Sequence, residues 1–282
     1  MRWDGIRMMN KYKYAIIVPN YNSDHGEWNG KTFLRNCIES ILSQTYKDFT
    51  LVFVDDMSTD TSVKTVKEYM KKDKRIKLIK NIRKRYNGGS RNVGIEYAMT
   101  KLDFDYFCFL DSDDWWKNEN VLELIDSKLN DHEMMILGCE MLSRSGKVIH
   151  RRNQIARDYE DLWSCTNKIW CTAWSRVIRK DKIKYFCEST LMEDRLWCYK
   201  IADDIDFDKV TYSGLIVYVW NQLNTTSVSK SKTPMWNYSA FIHIGQCKQF
   251  MAEIKHKEML PVLEERINKC FEDLKNGVYY QG

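Results

Sequence analysis

Three prolines in 282 residues leave little to interrupt regular structure. No apolar run is long enough to cross a bilayer. The amino terminus Met1-Arg2-Trp3-Asp4 lacks the apolar stretch of a secretory signal. These absences lead to the expectation of a cytoplasmic protein, with peripheral contact at the inner membrane face left open. Nine cysteines form no C-x-x-C pair, which excludes a zinc knuckle and argues against a closed disulfide framework. Cys108, Cys139 and Cys198 sit in apolar runs, as buried reduced thiols do. Histidine is scarce, and neither His25 nor His243 has a partner at metal-ligand spacing. Internal repeats, low-complexity tracts and Gly/Ser linkers are missing too, so one continuous body is expected. Net charge is only +5, which excludes a strongly basic protein. It is uneven, however: Lys71 to Arg85 carries a run of cations with Asp73 as its one acid. That stretch fits an anionic partner such as nucleic acid, an anionic membrane or a phosphorylated substrate, or simply a solvated helix end.

What is present is an alternation of strand and helix signals. Tyr14 to Pro19 and Phe49 to Val54 read as buried strands, with a helix over Lys31 to Ser43 between them. A second helix carries Val63, Val66 and Met70, capped by Thr59 or Asp60. Ile76 to Ile79 is a short strand, Gly88-Gly89 opens a helix through Ala98, and Tyr106 to Leu110 is the next strand. A helix over Glu119 to Leu129 and a strand over Met134 to Cys139 follow. Strands separated by helices imply a parallel, doubly wound sheet with right-handed crossovers. Beyond Met141 the segments shorten and grow rich in Trp and Arg. From Pro234 to Lys275 the pattern is helical, broken near Leu260-Pro261.

Carboxylates gather at three places. Phe107-Cys108-Phe109-Leu110 reads as a strand buried on both faces that delivers Asp111, Asp113 and Asp114 at its carboxyl end, where ligands bind in open α/β sheets. Acids so close repel unless something positive sits among them, and a hard divalent cation supplies that charge. The alternative is that Asp113 or Asp114 caps a helix starting near Trp115. Asp55-Asp56 closes the second strand, and Glu193-Asp194 stands at a helix start, where the macrodipole also favours acids. Between the first two clusters, Gly88-Gly89-Ser90-Arg91 opens a helix and turns backbone N–H groups and a guanidinium toward an anion.

In this order and spacing the chain resembles the family 2 glycosyltransferases of the GT-A fold, from about Tyr14 to Ser229. The matching segments are Ile17-Val18-Pro19-Asn20-Tyr21-Asn22, Ser43 to Phe49, Val54 to Asp60, Ser90-Arg91-Asn92-Val93-Gly94, Phe109 to Asp114, and Glu193-Asp194. The resemblance implies a mostly parallel, Rossmann-like α/β sheet with a C-terminal helical extension. It implies a catalytic domain over residues 1–232, with a nucleotide-sugar half about 14–115 and an acceptor half about 116–232, and a helical extension over 233–282. Pro19, Tyr21, Asn22, Asp55, Asp56, Arg91, Asp111 and Ser112 would contact the donor, an acid of Asp55-Asp56 accepting from the imide N–H of a uracil. Asp111 and Asp113 match the family's D-x-D pair and would hold Mn²⁺ or Mg²⁺. Asp194 matches the catalytic base, with Glu193 beside it. The implied reaction moves a sugar from a UDP-sugar to an acceptor hydroxyl on a glycan, a lipid-linked sugar, a protein or a modified nucleic acid, by single displacement with inversion.

Some positions depart from the family. Met57 stands where a small residue commonly follows the acid pair, and Ser23 to Thr32 looks like an enlarged loop bringing Asp24, His25, Glu27 and Trp28. Trp220-Asn221-Gln222 through Ser227 occupies the region where a basic residue often meets the diphosphate. Trp115, Trp116, Trp170 and Trp174 suit an acceptor groove or ordinary packing. Two other functions use related features. A sugar-phosphate nucleotidyltransferase would carry a Gly-rich basic loop where Asn20-Tyr21-Asn22 stands, and a non-catalytic nucleic-acid binder would use Lys71 to Arg85.

Overall fold

The computed structural model describes residues 11–143, 145–152, 154–164, 171–188, 190–225 and 235–277. Trp170 and the boundary expected near residue 232 lie outside them. The first half alternates as its sequence does: β1 (Tyr14–Asn20), α1 (Phe33–Leu42), β2 (Phe49–Asp55), α2 (Ser62–Met70), β3 (Ile76–Lys80), α3 (Asn87–Lys101) and β4 (Tyr106–Phe109). Then come β5 (Trp115–Trp116), α4 (Val121–Leu129), β6 (Met134–Leu142), β7 (Val148–Arg152), α5 (Tyr159–Ser164), β8 (Arg176–Arg179), α6 (Glu193–Ala202), β9 (Val210–Asn221), α7 (Met235–Glu253) and α8 (Leu260–Lys275).

The strands form one nine-stranded sheet in the order β3-β2-β1-β4-β8-β6-β9-β5, with β7 alongside β6. β3, β2, β1 and β4 are mutually parallel, as are β6 and β9, while β8 runs antiparallel between β4 and β6. The mostly parallel α/β sheet expected from the sequence is therefore present. In β1, Tyr14, Ile16 and Val18 join a core with α1, α2 and α4, while Ala15 and Ile17 join a second core with α3 and α6. This period-2 division of side chains puts helices on both faces and makes the strand buried throughout. Register then aligns the carboxyl ends that matter, pairing Asn20 with Asp55 and Ile17 with Phe109.

Three expectations need correction. Trp115-Trp116 does not start a helix: it is β5, paired antiparallel with β9, so Asp113 and Asp114 cap nothing. They lie in a tight turn closed by the Asp114 N–H donating to the Asp111 carbonyl at 3.0 Å. Cys108, Cys139 and Cys198 are buried free thiols as expected, but Cys171 is disulfide-bonded. The basic stretch is only partly available, since Arg75 pairs with Asp73 at 2.6 Å and Arg83 with Glu96 and Glu188. Helices α7 and α8 place Ala240, Ile244, Cys247, Phe250, Leu263 and Ile267 in the same core as Ile17 and Phe109. Among the described residues no helix is long and apolar enough to cross a membrane.

Candidate active site

A cavity of about 890 Å³ opens at the carboxyl ends of β1 and β4, beneath the start of α6 and one face of α8. Its centre is Arg91, a long cationic side chain only 1% exposed. Arg91 is buried because Gly88 and Gly89 let the first turn of α3 press against neighbouring backbone. A Cβ on Gly88 would meet the Cys187 carbonyl oxygen at 2.1 Å, and one on Gly89 the Lys84 carbonyl oxygen at 1.9 Å. From there Nη2 donates to Asp111 Oδ1 at 2.7 Å, and Nη1 donates to Glu193 Oε1 at 2.7 Å and Asp194 Oδ1 at 3.0 Å. Burial opposes the guanidinium's charge, but Asp194, Asp111 and Glu193 together hold its pKa above the ordinary value. One cation thus gathers carboxylates from two of the three acidic segments, and negative charge remains in excess.

Burial first, and that excess second, raise the carboxyl groups. Burial, then Glu193 and Asp111, push Asp194 up to about 8 against the pull of Arg91. Burial likewise raises Glu193. Both line the cavity, but Asp194 keeps 23% of its side chain open, against 6% for Glu193, so Asp194 is the more accessible of the two.

In the Asp111–Asp114 turn the acids divide their work. Asp114 is inward: Tyr218 Oη donates to its Oδ2 and the Asn221 N–H to its Oδ1, both at 2.7 Å. Asp113 takes a hydrogen bond from Asn224 Nδ2 at 2.6 Å, and Asn224 Oδ1 lies 3.3 Å from His25 Nε2. Burial and Asp111 push Asp113 above the ordinary carboxylate range. The Ser112 hydroxyl meets that of Ser23 at 2.5 Å. Asp111, Ser112 and Asp113 all line the cavity.

At the β1 end, Pro19, Tyr21 and Asn22 line the cavity with Tyr86 and Asn87, and Arg85 stacks over the Tyr21 ring at 4.9 Å. Asp55 and Asp56 lie behind this wall and do not line it. Asp55 accepts from Asn20 Nδ2 at 3.1 Å and the Ser58 N–H at 3.2 Å. Asp56 accepts from Asn81 Nδ2 at 2.7 Å and the Tyr86 N–H at 2.8 Å. Met57, between these acids and Ser58, holds φ at +64°, the backbone state for which glycine would be expected. In the enlarged loop, Asp24 ties down the hydroxyls of Thr32, Thr61 and Thr65 rather than facing the cavity, and Trp28 stacks on Trp115. Of its residues, Ser23 and His25 reach the cavity. Trp174 does too, stacked on Tyr218 at 4.3 Å.

Sequence reading missed Tyr218, Asn221 and Asn224 as supports of the aspartates, because their partners lie more than a hundred residues away. It also gave α8 no role, although Arg266, Lys269 and Asp273 line the cavity.

Residues 15–187 match the family model for glycosyl transferase family 2. The chain belongs to that family. Among curated relatives, it is 31% identical over 151 residues to an uncharacterized glycosyltransferase of Haemophilus influenzae, covering 52% of this chain and 56% of that one. The chain thus spans little more than half of that relative's length. It is 36% identical over 108 residues, 38% of each chain, to the Escherichia coli UDP-Glc:alpha-D-GlcNAc-diphosphoundecaprenol beta-1,3-glucosyltransferase WfgD. Among solved structures, S. aureus TarS 1-349 in complex with UDP superposes with a TM-score of 0.57 at 21% identity, covering 74% of this chain and 60% of that one. That similarity supports the GT-A form of the sheet.

Proposed function

We propose that this chain transfers a sugar from a UDP-sugar to an acceptor hydroxyl by single displacement with inversion, Asp194 serving as base. The observation that carries this is the shared guanidinium: Asp111 and Asp194 hang on the two ends of one buried Arg91 and open to one cavity. A group that holds the donor's diphosphate and a group that takes the acceptor's proton are thereby fixed with respect to each other.

Asp111 and Asp113 would hold Mn²⁺ or Mg²⁺ together with the donor's phosphate oxygens. The residues fit: the acids outnumber Arg91, and burial and mutual repulsion raise Asp113 and Asp114 toward protonation, so the turn lacks positive charge. Among the described residues no three ligating groups stand ready to hold an ion alone, as suits a cation shared with substrate phosphates. When bound, such a cation supplies Lewis-acid stabilisation of the departing diphosphate. Tyr218, Asn221 and Asn224 fix the turn. Pro19, Tyr21 and Asn22 line the nucleotide end, and Asp56 and Asp55 act from behind them, accepting from the uracil only if Tyr86 and its neighbours yield. Asp194 accepts the proton of the attacking hydroxyl, and Glu193, buried on the same nitrogen of Arg91, orients it. Residues 14–115 bind the donor in this reading, and later elements bind the acceptor. WfgD's UDP-Glc donor and its diphosphoundecaprenol-linked acceptor support a UDP-sugar and a lipid-linked sugar here. The match to family 2 weighs against nucleotidyl transfer, and the paired Arg75 and Arg83 weigh against nucleic-acid binding.

Calorimetric titration tests the proposal. UDP should bind more tightly with Mn²⁺ than without it and more tightly than ADP or GDP, and Asp113→Ala should erase the metal's contribution. Equal affinity for UDP with and without the metal would overturn the reading of Asp111 and Asp113.

A further inference from the structure

We infer that the acceptor presents a phosphate or diphosphate group to Arg195, Arg266 and Lys269, on the α6–α8 wall of the cavity. The inference rests on the reading of Asp194 as base and goes beyond it to the acceptor's chemistry.

The three cations line the same cavity as the acids but are treated differently by the fold. Several described arginines elsewhere are matched to acids: Arg75 to Asp73, Arg83 to Glu96 and Glu188, Arg179 to Glu133 and Asp181. Among the described residues neither Arg195 nor Arg266 forms an ion pair. Arg266 is half-buried, and its Nε is shielded from solvent with no acceptor. A buried donor without an acceptor costs free energy that a bound acceptor recovers. Lys269, three residues on and so on the same helical face, lies 3.7 Å from Asp273. Glu193 and Asp194 on this wall already share Arg91, so beyond them it carries three cations against Asp273, a local surplus suited to a group with more than one negative charge. The planar forks of two arginines favour the oxygens of phosphate.

Position decides which substrate brings that charge. The donor's phosphates are assigned to the acid turn at Asp111 and Asp113. Arg195 directly follows Asp194, whose open face must meet the acceptor hydroxyl, and Arg266 and Lys269 come from the last helix, absent from the donor-binding half. An acceptor reaching Asp194 from that side passes the cationic wall. The phosphate could belong to a lipid-diphosphate sugar or to a polyol-phosphate chain, which share this chemistry.

The test is calorimetry on the full chain with octyl diphosphate, a glycerol phosphate trimer and neutral octyl glucoside as probes, with and without saturating UDP and Mn²⁺. Both phosphate probes should bind in the presence of UDP, and octyl glucoside at least tenfold more weakly. Arg266→Gln and Arg195→Gln should each weaken the phosphate probes roughly tenfold, the scale of one charge-assisted contact, with UDP affinity unchanged. Arg195 is exposed, so its variant tests the wall even if Arg266→Gln melts early. Tighter binding of octyl diphosphate indicates the lipid source, and of the trimer the polymer. The inference falls if the neutral probe binds as well, if both variants bind normally, or if UDP displaces the phosphate probes. Should UDP itself not bind, the donor reading fails, while the series without UDP still reads the wall.

Discussion

Asp194 is the neighbour of Glu193 but has the more open face, and the proposed roles of the two rest on that difference. Asp194→Asn keeps the shape and the hydrogen bond from Arg91 but cannot take a proton, so turnover should fall by roughly 10²–10⁴-fold with donor affinity retained. Glu193→Gln should lose less; a dead Glu193→Gln beside an active Asp194→Asn would reverse the two roles. The pH profile has a defined sign. With Asp194 pushed up to about 8, the ionised base accumulates as pH rises, so the rate should climb through neutrality and level off above that value. Stability moves the other way. Between the ordinary carboxylate range and about 8 the folded chain keeps a proton that the unfolded chain gives up, so stability declines with rising pH across that window. At this scale the acids and Arg91 were legible, because a short motif keeps its residue types together. The hub that joins them was not, since nothing in the spacing of residues 91, 111, 193 and 194 says that the guanidinium of the first touches the other three.

The start of α3 is the element on which this hub depends. Its glycines admit no side chain, because the obstructing atoms are backbone carbonyls that cannot swing aside. Gly89→Ala should therefore cost at least the roughly 1–3 kcal/mol typical of overpacking, read from the midpoint of urea unfolding, and should weaken UDP binding as Arg91 shifts. An unchanged midpoint would mean that the loop relaxes freely. Buried apolar runs such as β1 and β2, and α3 opened by its glycines, were evident in the sequence, with ends matching or off by up to three residues. Two residues, Trp115-Trp116, carry no period, so the sequence leaves open the alternative of a helix starting there. Only the distant β9, pairing Trp115 with Val219, makes them a strand.

For the molecule as a whole, α7 and α8 close one face of the sheet rather than hang from it. A chain ending before α7 would expose Trp163, which stacks on Phe250, and the faces of α5 and α6 that meet α8 and α7, so it should lose cooperative unfolding by calorimetry and bind hydrophobic dye. A sharp transition in the truncated chain would instead mark α7–α8 as an independent extension. The helical character of this segment was legible from its period. Its place over the cavity was not, because nothing in the sequence says that Arg266 and Lys269 line the same cavity as Asp194. The hub also sets an order in time. Arg91 emerges from the ribosome about a hundred residues before Glu193 and Asp194, and a guanidinium cannot be sealed from water while two of its three acids are still unmade. The nascent first half must stay open around it, and the strand pairings that close the sheet, β8 between β4 and β6 and then β9 beside β6, are long-range and slow. The candidate site is thus completed only once residue 194, about a hundred residues after Arg91, and the strand that follows it are made.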